Sequence, residues 1–409
     1  MNLIQDRAKL KSFIANHDTT TPKPLLTSMV LNKVPRYYQI NAVRTAIDYL
    51  DVGFRRLLYV SPTATGKTLL SKLTATSLEL REVLGIQQKI RDNPEYKVRV
   101  LFIASQQRLL RQAIEEFAEC DDIEFIAHSA FKDVSEDVIN QGWDMTFIDE
   151  AHHEAMTSIQ KLLDIVREKP IFGLTATPDR GDGLMLKFER FIYPITKEQA
   201  IRRKFIATPS INSIIDTSGS NKLAIAKEVT QLYYEQMGQT IVYFKTQKEC
   251  SDYKDFCDSV GFSAFWLQGD DNEMDEILED FSSGVFKLLI NCQKLGEGVD
   301  ILNCTDVLLA RQFKSKGEKE QYIGRAIRPD STCTVWEFIN PFKDNIPAKT
   351  LFSVVHYHRL IYKQHGKWHE KFIEINKDED IYDHEFLDAQ QKSILPWKRE
   401  YQEVIKWKM

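Results

Sequence analysis

The chain has 409 residues, which is enough for two or three domains of ordinary size. Its hydrophobic fraction of 43% and charged fraction of 28% are typical of soluble globular proteins, and no apolar run approaches the roughly 20 residues that cross a bilayer. We therefore expect an intracellular monomer with no membrane partner. The net charge of −5 excludes a general attraction to nucleic acid, and six cysteines without a C-x-x-C pair indicate reduced core residues rather than a zinc module or disulfide framework.

Residues 1–33 form a predicted N-terminal appendage. A possible short helix at 3–15 is followed by threonines and prolines at 18–24 that interrupt regular structure.

Two α/β domains are predicted between residues 34 and 345. In both, short apolar runs alternate with helical patterns, which favours parallel sheets covered by helices on both faces. In the first domain, 34–204, the predicted strands are 57–60, 98–104, 145–148 and 171–174, and the helices include 69–80, 107–118 and 157–167. In the second domain, 205–345, the predicted strands are 240–244, 264–267, 287–291, 307–310 and 335–339, with helices at 222–235 and 248–260. Residues 346–409, where the alternation stops, are predicted to form a helical C-terminal extension.

A phosphate-binding loop is predicted at residues 61–68, S-P-T-A-T-G-K-T, after the apolar run at 57–60. Its backbone N–H groups and the helix N-terminus would face an anion, Lys67 would reach the outer phosphates, and the Thr68 hydroxyl would ligate Mg²⁺. The first glycine of G-x-x-x-x-G-K-[ST] is replaced by Ser61, so an ordinary strand-to-helix turn is the alternative. The other predicted nucleotide contacts in the loop are Pro62, Thr63, Ala64, Thr65 and Gly66.

Asp149 and Glu150 follow the predicted strand 145–148, at the carboxyl end of a parallel strand, where open α/β sheets bind ligands. With a phosphate loop upstream, Asp149 is expected to hold Mg²⁺, and Glu150 to orient and deprotonate an attacking water. His152 completes the sequence D-E-A-H and is a further candidate catalytic residue. The alternative is a pair of solvated acids that ends a strand.

These motifs resemble those of the nucleic-acid helicases and translocases of superfamily two, and the resemblance covers most of residues 34–345. It implies two tandem RecA-like domains, ATP and Mg²⁺ as cofactors, and nucleic acid as the partner. Arg36 and Gln39 resemble the adenine-recognising Q motif, with Gln39 as the reader.

Two more segments of the first domain match family motifs. Ser105, Gln106 and Arg108 lie where motif Ia touches the nucleic-acid backbone, whereas Thr175 and Thr177 are similar to motif III, which links hydrolysis to strand movement.

The second domain carries three family motifs and no phosphate loop of its own, which suggests one nucleotide site between two similar halves. Lys245 and Thr246 fall at motif IV, a DNA contact, and Gly298 and Asp300 lie in a segment that looks like motif V, a nucleotide contact. Residues 321–328 match the motif VI pattern Q-x-x-G-R-x-x-R. The predicted catalytic residues of this segment are Gln321, Arg325 and Arg328.

The two arginines of motif VI are three positions apart. This spacing predicts that both lie on one helical face and reach the γ-phosphate of ATP with their planar forks. Alternatively, they are ordinary surface ion-pair partners.

A narrower similarity joins the chain to DNA-directed members, such as the phage branch-migration helicase UvsW and helicases of the RadD and XPB type. It implies an ATP-dependent DNA helicase that acts on branched or single-stranded DNA, with 3′ to 5′ movement and a bacterial or phage-infected cytoplasm as its location. Two alternatives remain: an RNA helicase, and a nucleic-acid-binding switch that binds ATP without turnover.

Residues 353–372 interleave basic and aromatic side chains with a single acid, Glu370. This mixture suits a surface that binds phosphates and stacks exposed bases at a junction. Arg359 and Lys363 are the predicted DNA contacts. The alternative is that the aromatics pack the extension onto the second domain.

Overall fold

The computed structural model describes most of the chain between residues 25 and 373. The described ranges are 25–29, 31, 33–151, 169–178, 187–215, 222–268, 271–292, 295, 301, 303–313, 315–328, 332–340 and 347–373. The predicted helices at 3–15 and 157–167 lie outside them. The chain divides into two compact units, residues 1–196 and 197–409; the domain limits at 33, 204 and 345 stay predictions.

The first unit is built on a sheet of parallel strands. They are β1 (Arg56–Val60), β2 (Val98–Ala104), β3 (Ile123–Ser129), β4 (Met145–Asp149), β5 (Ile171–Thr175) and β6 (Arg190–Ile192). Their order across the sheet is β3-β2-β4-β5-β1-β6. All residues of β5 and four of five in β1 and β4 are buried, as expected of parallel strands covered on both faces.

Helices flank this sheet. In the described ranges they are α1 (Tyr37–Asp51), α2 (Lys67–Thr76), α3 (Leu78–Val83), α4 (Ile86–Asp92), α5 (Gln107–Phe117) and α6 (Glu136–Gln141). The helix predicted at 69–80 is two helices, because Ser77 leaves helical geometry and its hydroxyl accepts a hydrogen bond from the Leu80 N–H at 3.3 Å, which caps α3.

Stacked aromatic rings cross one face of the first sheet. The Phe147 ring is stacked on Phe172 at 5.2 Å between centroids and on Phe102 at 6.3 Å, while Tyr59 stacks on Phe172 at 6.1 Å. All four side chains are fully buried, and each contributes on the order of 2 kcal/mol of transfer free energy to folding. This row connects β1, β5, β4 and β2 across one face of the sheet.

The second unit contains a larger sheet. Its strands are β7 (Pro209–Ile215), β8 (Thr240–Tyr243), β9 (Ala264–Trp266), β10 (Leu288–Asn291), β11 (Asp306–Leu309), β12 (Cys333–Ile339), β13 (His358–Gln364) and β14 (Lys367–Ile373). The order is β14-β13-β7-β12-β11-β8-β10-β9, and all pairs are parallel except β13 with β14. The prediction of two tandem parallel-sheet α/β domains is therefore confirmed.

Helices also cover the second sheet. They are α7 (Lys197–Arg202), α8 (Lys222–Tyr233), α9 (Gln247–Ser259), α10 (Asp271–Ser283) and α11 (Lys316–Ile323). All six cysteines are free and buried, as predicted, and burial raises the pKa of Cys250 and Cys257 to about 12. Across the described residues, none of the helices combines the length and apolarity that a bilayer crossing needs.

The prediction of a helical C-terminal extension is wrong for residues 358–373, which form the β13–β14 hairpin. His365 and Gly366 connect the strands with φ of +50° and +76°, the left-handed pair that a two-residue hairpin turn requires. The hairpin forms because β13 pairs with the edge of β7, a strand that the apolar runs in the sequence did not reveal. Residues 374–409 lie outside the described ranges.

A buried polar network connects α11 to the second sheet. The Lys319 ammonium forms an ion pair with Glu337, whose carboxylate also accepts hydrogen bonds from the Ser213 hydroxyl at 2.8 Å and the Ala348 N–H at 2.8 Å. The His358 ring nitrogen Nε2 lies 3.1 Å from the Ser213 hydroxyl. These side chains are at most 5% exposed, so the network fixes α11 on the sheet.

Burial lowers the pKa of His358 to about 4, against the opposing charge of Glu337, while Lys349 acts in the same direction as burial. An unfolded histidine titrates near 6.5, so the folded state loses stability as the pH falls from about 6.5 to about 4. The full difference, about 2.5 pKa units, corresponds to about 3.5 kcal/mol at roughly 1.4 kcal/mol per pKa unit.

We predict that His358→Gln reduces this pH dependence, because glutamine does not titrate. The measurement is the free energy of unfolding by urea at several pH values from 7 to 4 for both proteins. Subtracting the two curves removes the contribution of the carboxylates that both share. Parallel curves would contradict the prediction.

Candidate nucleotide site and nucleic-acid contacts

The predicted phosphate loop connects β1 to α2 at the carboxyl edge of the first sheet. The Ser61 N–H donates to the Thr175 carbonyl at 2.9 Å, which anchors the start of the loop on β5. The Thr65 hydroxyl donates to the Pro62 carbonyl at 2.6 Å and lies 2.6 Å from the Ser61 hydroxyl. Since Thr65 has one proton to give, Ser61 donates to Thr65. The serine in place of the first glycine thus cross-links the base of the loop.

Two residues of the loop have left-handed backbone geometry, namely Ala64 with φ of +64° and Gly66 with φ of +80°. For alanine this conformation costs roughly 1–2 kcal/mol. A Cβ atom on Gly66 would lie only 2.8 Å from Gln39 Nε2, so glycine is required there for its φ and for space. Lys67 then begins α2, whose N-terminal N–H groups are those that suit an anion.

Side chains at the start of α1 form hydrogen bonds with carbonyl groups of the loop. Gln39 Nε2 donates to the Thr65 and Gly66 carbonyls at 3.3 and 3.1 Å, and Gln39 Oε1 accepts from the Arg36 N–H at 2.9 Å. The Tyr38 hydroxyl donates to the Thr65 carbonyl at 2.7 Å. Gln39 is 2% exposed, and its side-chain amide binds the loop carbonyls on one side and the Arg36 N–H on the other. Adenine recognition by Arg36 and Gln39 stays a prediction.

Asp149 ends β4, and Glu150 follows it with φ of +47° and its N–H donating to Asp149 Oδ1 at 3.0 Å. Glu150 Oε1 lies 3.9 Å from Lys67 Nζ, and the two side chains are 12% and 14% exposed. The strands that precede them in the chain, β1 and β4, are separated in the sheet by β5 alone. The structure therefore brings together the predicted phosphate-binding lysine and the predicted base. His152 lies outside the described residues.

The chemistry of the predicted metal ligands fits Mg²⁺. Thr68 and Asp149 offer a hydroxyl and a carboxylate oxygen, and Mg²⁺ prefers oxygen ligands that it shares with phosphates and water. In the described part of the chain, no group of three or more His, Cys, Asp or Glu side chains could hold a metal by itself.

The predicted coupling residues lie at the end of β5: Thr175 is its last residue, and Thr177 lies two positions later. The Thr175 hydroxyl donates to the Thr177 carbonyl at 2.8 Å and accepts from the Thr177 N–H at 3.2 Å. Because the Thr175 carbonyl also binds the Ser61 N–H, this turn is hydrogen-bonded to the phosphate loop.

The predicted nucleic-acid contacts in the two units follow strands at the carboxyl edges of their sheets. Ser105 and Gln106 follow β2, and Gln106 is the N-cap of α5, which carries Arg108. Lys245 is exposed after β8, whereas the Thr246 hydroxyl caps α9 by accepting from the Glu249 N–H at 3.2 Å. Thr246 therefore has a structural role that the sequence reading missed, and the nucleic-acid contacts stay predictions.

The motif VI residues Arg325 and Arg328 do not lie on one helical face. Helix α11 contains Gln321 but ends at Ile323, and Gly324 begins a turn. Arg325 is 8% exposed, while Arg328 is half-buried. Their γ-phosphate contacts stay predictions, as do the roles of Gly298 and Asp300, which lie outside the described residues.

The prediction that Arg359 contacts DNA is contradicted by its burial. Its side chain is 8% exposed, and its guanidinium donates to Asn212 at 2.8 Å and to Glu370 at 3.0 Å. A guanidinium enclosed in this way cannot also reach a phosphate. Lys363 forms an ion pair with Glu228 at 2.6 Å and is 42% exposed.

Family models match both units. The model described as "Type III restriction enzyme, res subunit" matches residues 32–131 and 122–180, and the "Helicase conserved C-terminal domain" matches residues 221–330.

Two curated relatives illustrate the range of similar proteins. A 51.5 kDa protein of a Lactococcus phage is 30% identical over 194 residues, which is 41% of this chain and 42% of that protein. The putative ATP-dependent helicase IRC3 of Saccharomyces cerevisiae is 22% identical over 248 residues, 51% of this chain and 36% of that protein. The chain thus spans less than half the length of these relatives.

Solved structures share the fold. A fragment of a putative HsdR subunit of a type I restriction enzyme from Vibrio vulnificus YJ016 matches with a TM-score of 0.59 at 19% identity, over 83% of this chain and 71% of that one. The Type ISP restriction-modification enzyme LlaBIII bound to DNA gives 0.56 at 14% identity, over 77% of this chain and 28% of that one. The DEAD-box helicase Mss116 bound to ssRNA gives 0.54 at 15% identity, over 79% and 78%.

The two family models lie in the chain order of a helicase core, and their matches contain the phosphate loop, the Asp149–Glu150 pair and motif VI. The chain belongs to superfamily two of the helicases.

Proposed function

We propose that this protein couples ATP hydrolysis to movement along nucleic acid. The observation that carries the proposal is the 3.9 Å approach of Lys67 Nζ to Glu150 Oε1 beside the phosphate loop. An ammonium for the outer phosphates and a carboxylate for the attacking water are the two groups that hydrolysis of a phosphoanhydride needs at one place.

The phosphate loop and the acids at the end of β4 have separate roles in this proposal. Backbone N–H groups of residues 62–68 bind the phosphates, and Lys67 balances their charge. Glu150 orients the attacking water and accepts its proton. Thr68 and Asp149 would hold Mg²⁺, which when bound neutralises charge on the phosphates.

DNA is the preferred partner in our proposal, in single-stranded, forked or branched form, with movement from 3′ to 5′. The restriction-enzyme model over the first unit supports DNA, and the LlaBIII neighbour is bound to DNA. RNA is the second candidate, because Mss116, with a similar fold, is bound to ssRNA. Ser105, Arg108 and Lys245 are the proposed contacts with the strand backbone.

Lys67→Ala should abolish nucleic-acid-stimulated ATP hydrolysis and leave the fold intact, because the ammonium is placed for phosphate and is not a core group. The measurement is steady-state ATPase activity with DNA and RNA of one sequence, as single strands, duplexes, forks and junctions. Lys97→Ala, at an exposed position just before β2, removes the same charge at the opposite edge of the sheet and is the control. Near-normal turnover in Lys67→Ala would refute the site, and wild-type protein without any stimulated turnover would refute the motor.

Glu150→Gln should keep ATP binding and lose turnover, since the amide cannot accept the proton of water. The variant should therefore stay on nucleic acid in the presence of ATP. Binding of a fluorescent ATP analogue and retention on a labelled oligonucleotide measure the two properties. Exposed Glu95→Gln is the matched control, and loss of ATP binding in Glu150→Gln would show that the carboxylate roles are assigned wrongly.

Arg328→Ala should lower the turnover number by about 10³-fold if this guanidinium stabilises charge on the γ-phosphate during transfer. ATP binding should persist, because the phosphate loop is unchanged. Single-turnover hydrolysis separates the chemical step from binding. Arg202→Ala, which removes an exposed guanidinium paired with Glu198, is the control. Normal hydrolysis with lost unwinding would place Arg328 in coupling instead.

A further inference from the structure

The β13–β14 hairpin has two faces of different chemistry. Neighbouring pairs across the hairpin alternate between them, because side chains of a strand point to opposite faces in turn. The inner face, which carries Arg359, Lys363, Trp368 and Glu370, packs against α8. The outer face is buried at the start of β13, where Leu360 belongs to an apolar cluster against which Tyr362 packs, and it carries the exposed side chains of Lys367, His369 and Lys371 along β14.

The charged side chains of the inner face form ion pairs and hydrogen bonds within the protein. Arg359 binds Asn212 and Glu370, and Lys363 binds Glu228, whose carboxylate also accepts a hydrogen bond from the Trp368 indole at 3.0 Å. This face contributes to the core of the second unit, since Trp368 is packed against its main cluster.

The outer face is basic and aromatic. Lys367, His369 and Lys371 are all exposed and alternate along β14. The His369 ring stacks on Tyr362, with centroids 5.6 Å apart and planes 23° from parallel. The sole acid of residues 358–373 is Glu370, and it lies on the inner face, bound to Arg359 and to the Tyr233 hydroxyl at 2.6 Å.

The tip of the hairpin also lies at the edge of the sheet where the proposed strand contact Lys245 lies. Strand β13 runs parallel to β7, and its last pair with β7 is at Ile361, so residues 362–367 form the end of the hairpin at the carboxyl edge of the sheet. Lys245 follows β8, whose carboxyl end is at the same edge because β7, β12, β11 and β8 are parallel.

We infer that the outer face of this hairpin is a nucleic-acid contact, in which Lys367 and Lys371 bind phosphates and the Tyr362–His369 pair stacks a base. The lysines are about 14 Å apart along the strand, at about 3.4 Å per residue, and so meet different phosphates. Stacked rings beside cations suit single strands of any sequence. The inference rests on the proposed function and moves the predicted contact of this segment from Arg359 to the opposite face.

The test uses the full chain and measures binding of labelled oligothymidylate, with oligouridylate in parallel, at several salt concentrations. Each phosphate contact with a single strand contributes about 0.7 to the slope of log affinity against log salt. Lys367→Ala/Lys371→Ala should therefore lower the slope by about 1.4. Lys254→Ala/Lys363→Ala removes two charges from α9 and from the inner face, and should keep the wild-type slope.

A second binding measurement tests the Tyr362–His369 stacking pair. His369→Ala should weaken binding about 5-fold, the lower end of the effect of losing one base stack. An oligonucleotide with abasic sites should bind His369→Ala and the wild type equally well, which a loss of folding would not produce.

An unchanged slope in Lys367→Ala/Lys371→Ala would overturn the inference. A lower slope in Lys254→Ala/Lys363→Ala alone would also overturn it and would place the contact on α9 or the inner face. In both cases, stimulated ATPase activity of the wild type would leave the proposed function standing. If the wild type binds neither oligonucleotide and shows no stimulated turnover, the proposed function fails together with the inference.

Discussion

Parallel pairing of β1, β5 and β4 is the constraint on which the candidate site depends. Parallel strands end at one edge, so the loop after β1 and the acids at the end of β4 meet there although they are about 80 residues apart in sequence. The stacked rings of Phe147, Phe172 and Tyr59 hold these strands in register. A slip by one residue would move this row to the other face and separate Lys67 from Glu150.

The phosphate loop combines strained backbone with strong local support. Ala64 is in a conformation that disfavours a side chain, and Gly66 leaves no room for one. Hydrogen bonds around the loop offset the cost of this strained backbone. They come from Gln39 and Tyr38 and from the Ser61–Thr65 pair at the base of the loop. Such over-determined geometry is a feature of sites that must be preformed for a ligand. It also explains how the loop keeps its shape without the first glycine of the motif.

The second unit contains two kinds of basic side chain. Some are buried and bind partners within the fold, and others are exposed to solvent. Lys319 is buried with Glu337, and Arg359 with Asn212. Removal of Glu337 would leave the Lys319 ammonium as an uncompensated buried charge, which is strongly destabilising. Lys367 and Lys371 have the same charge on an exposed edge strand. Only such exposed groups can exchange counterions for phosphates, and an edge strand that carries lysines is also protected from pairing with other chains.

The sequence by itself determined the α/β class, most of the strands, and the nucleotide motifs, because apolar runs of strand length and glycine-dependent loops are local signals. Tertiary structure alone decided where the remaining groups lie. Whether Arg359 is inside or outside depends on which face of a hairpin meets α8, and the hairpin exists because β7 offers an edge to pair with. Likewise, the end of α11 before Arg325 and the contacts of Gln39 with the loop depend on partners distant in sequence, which no local pattern contains.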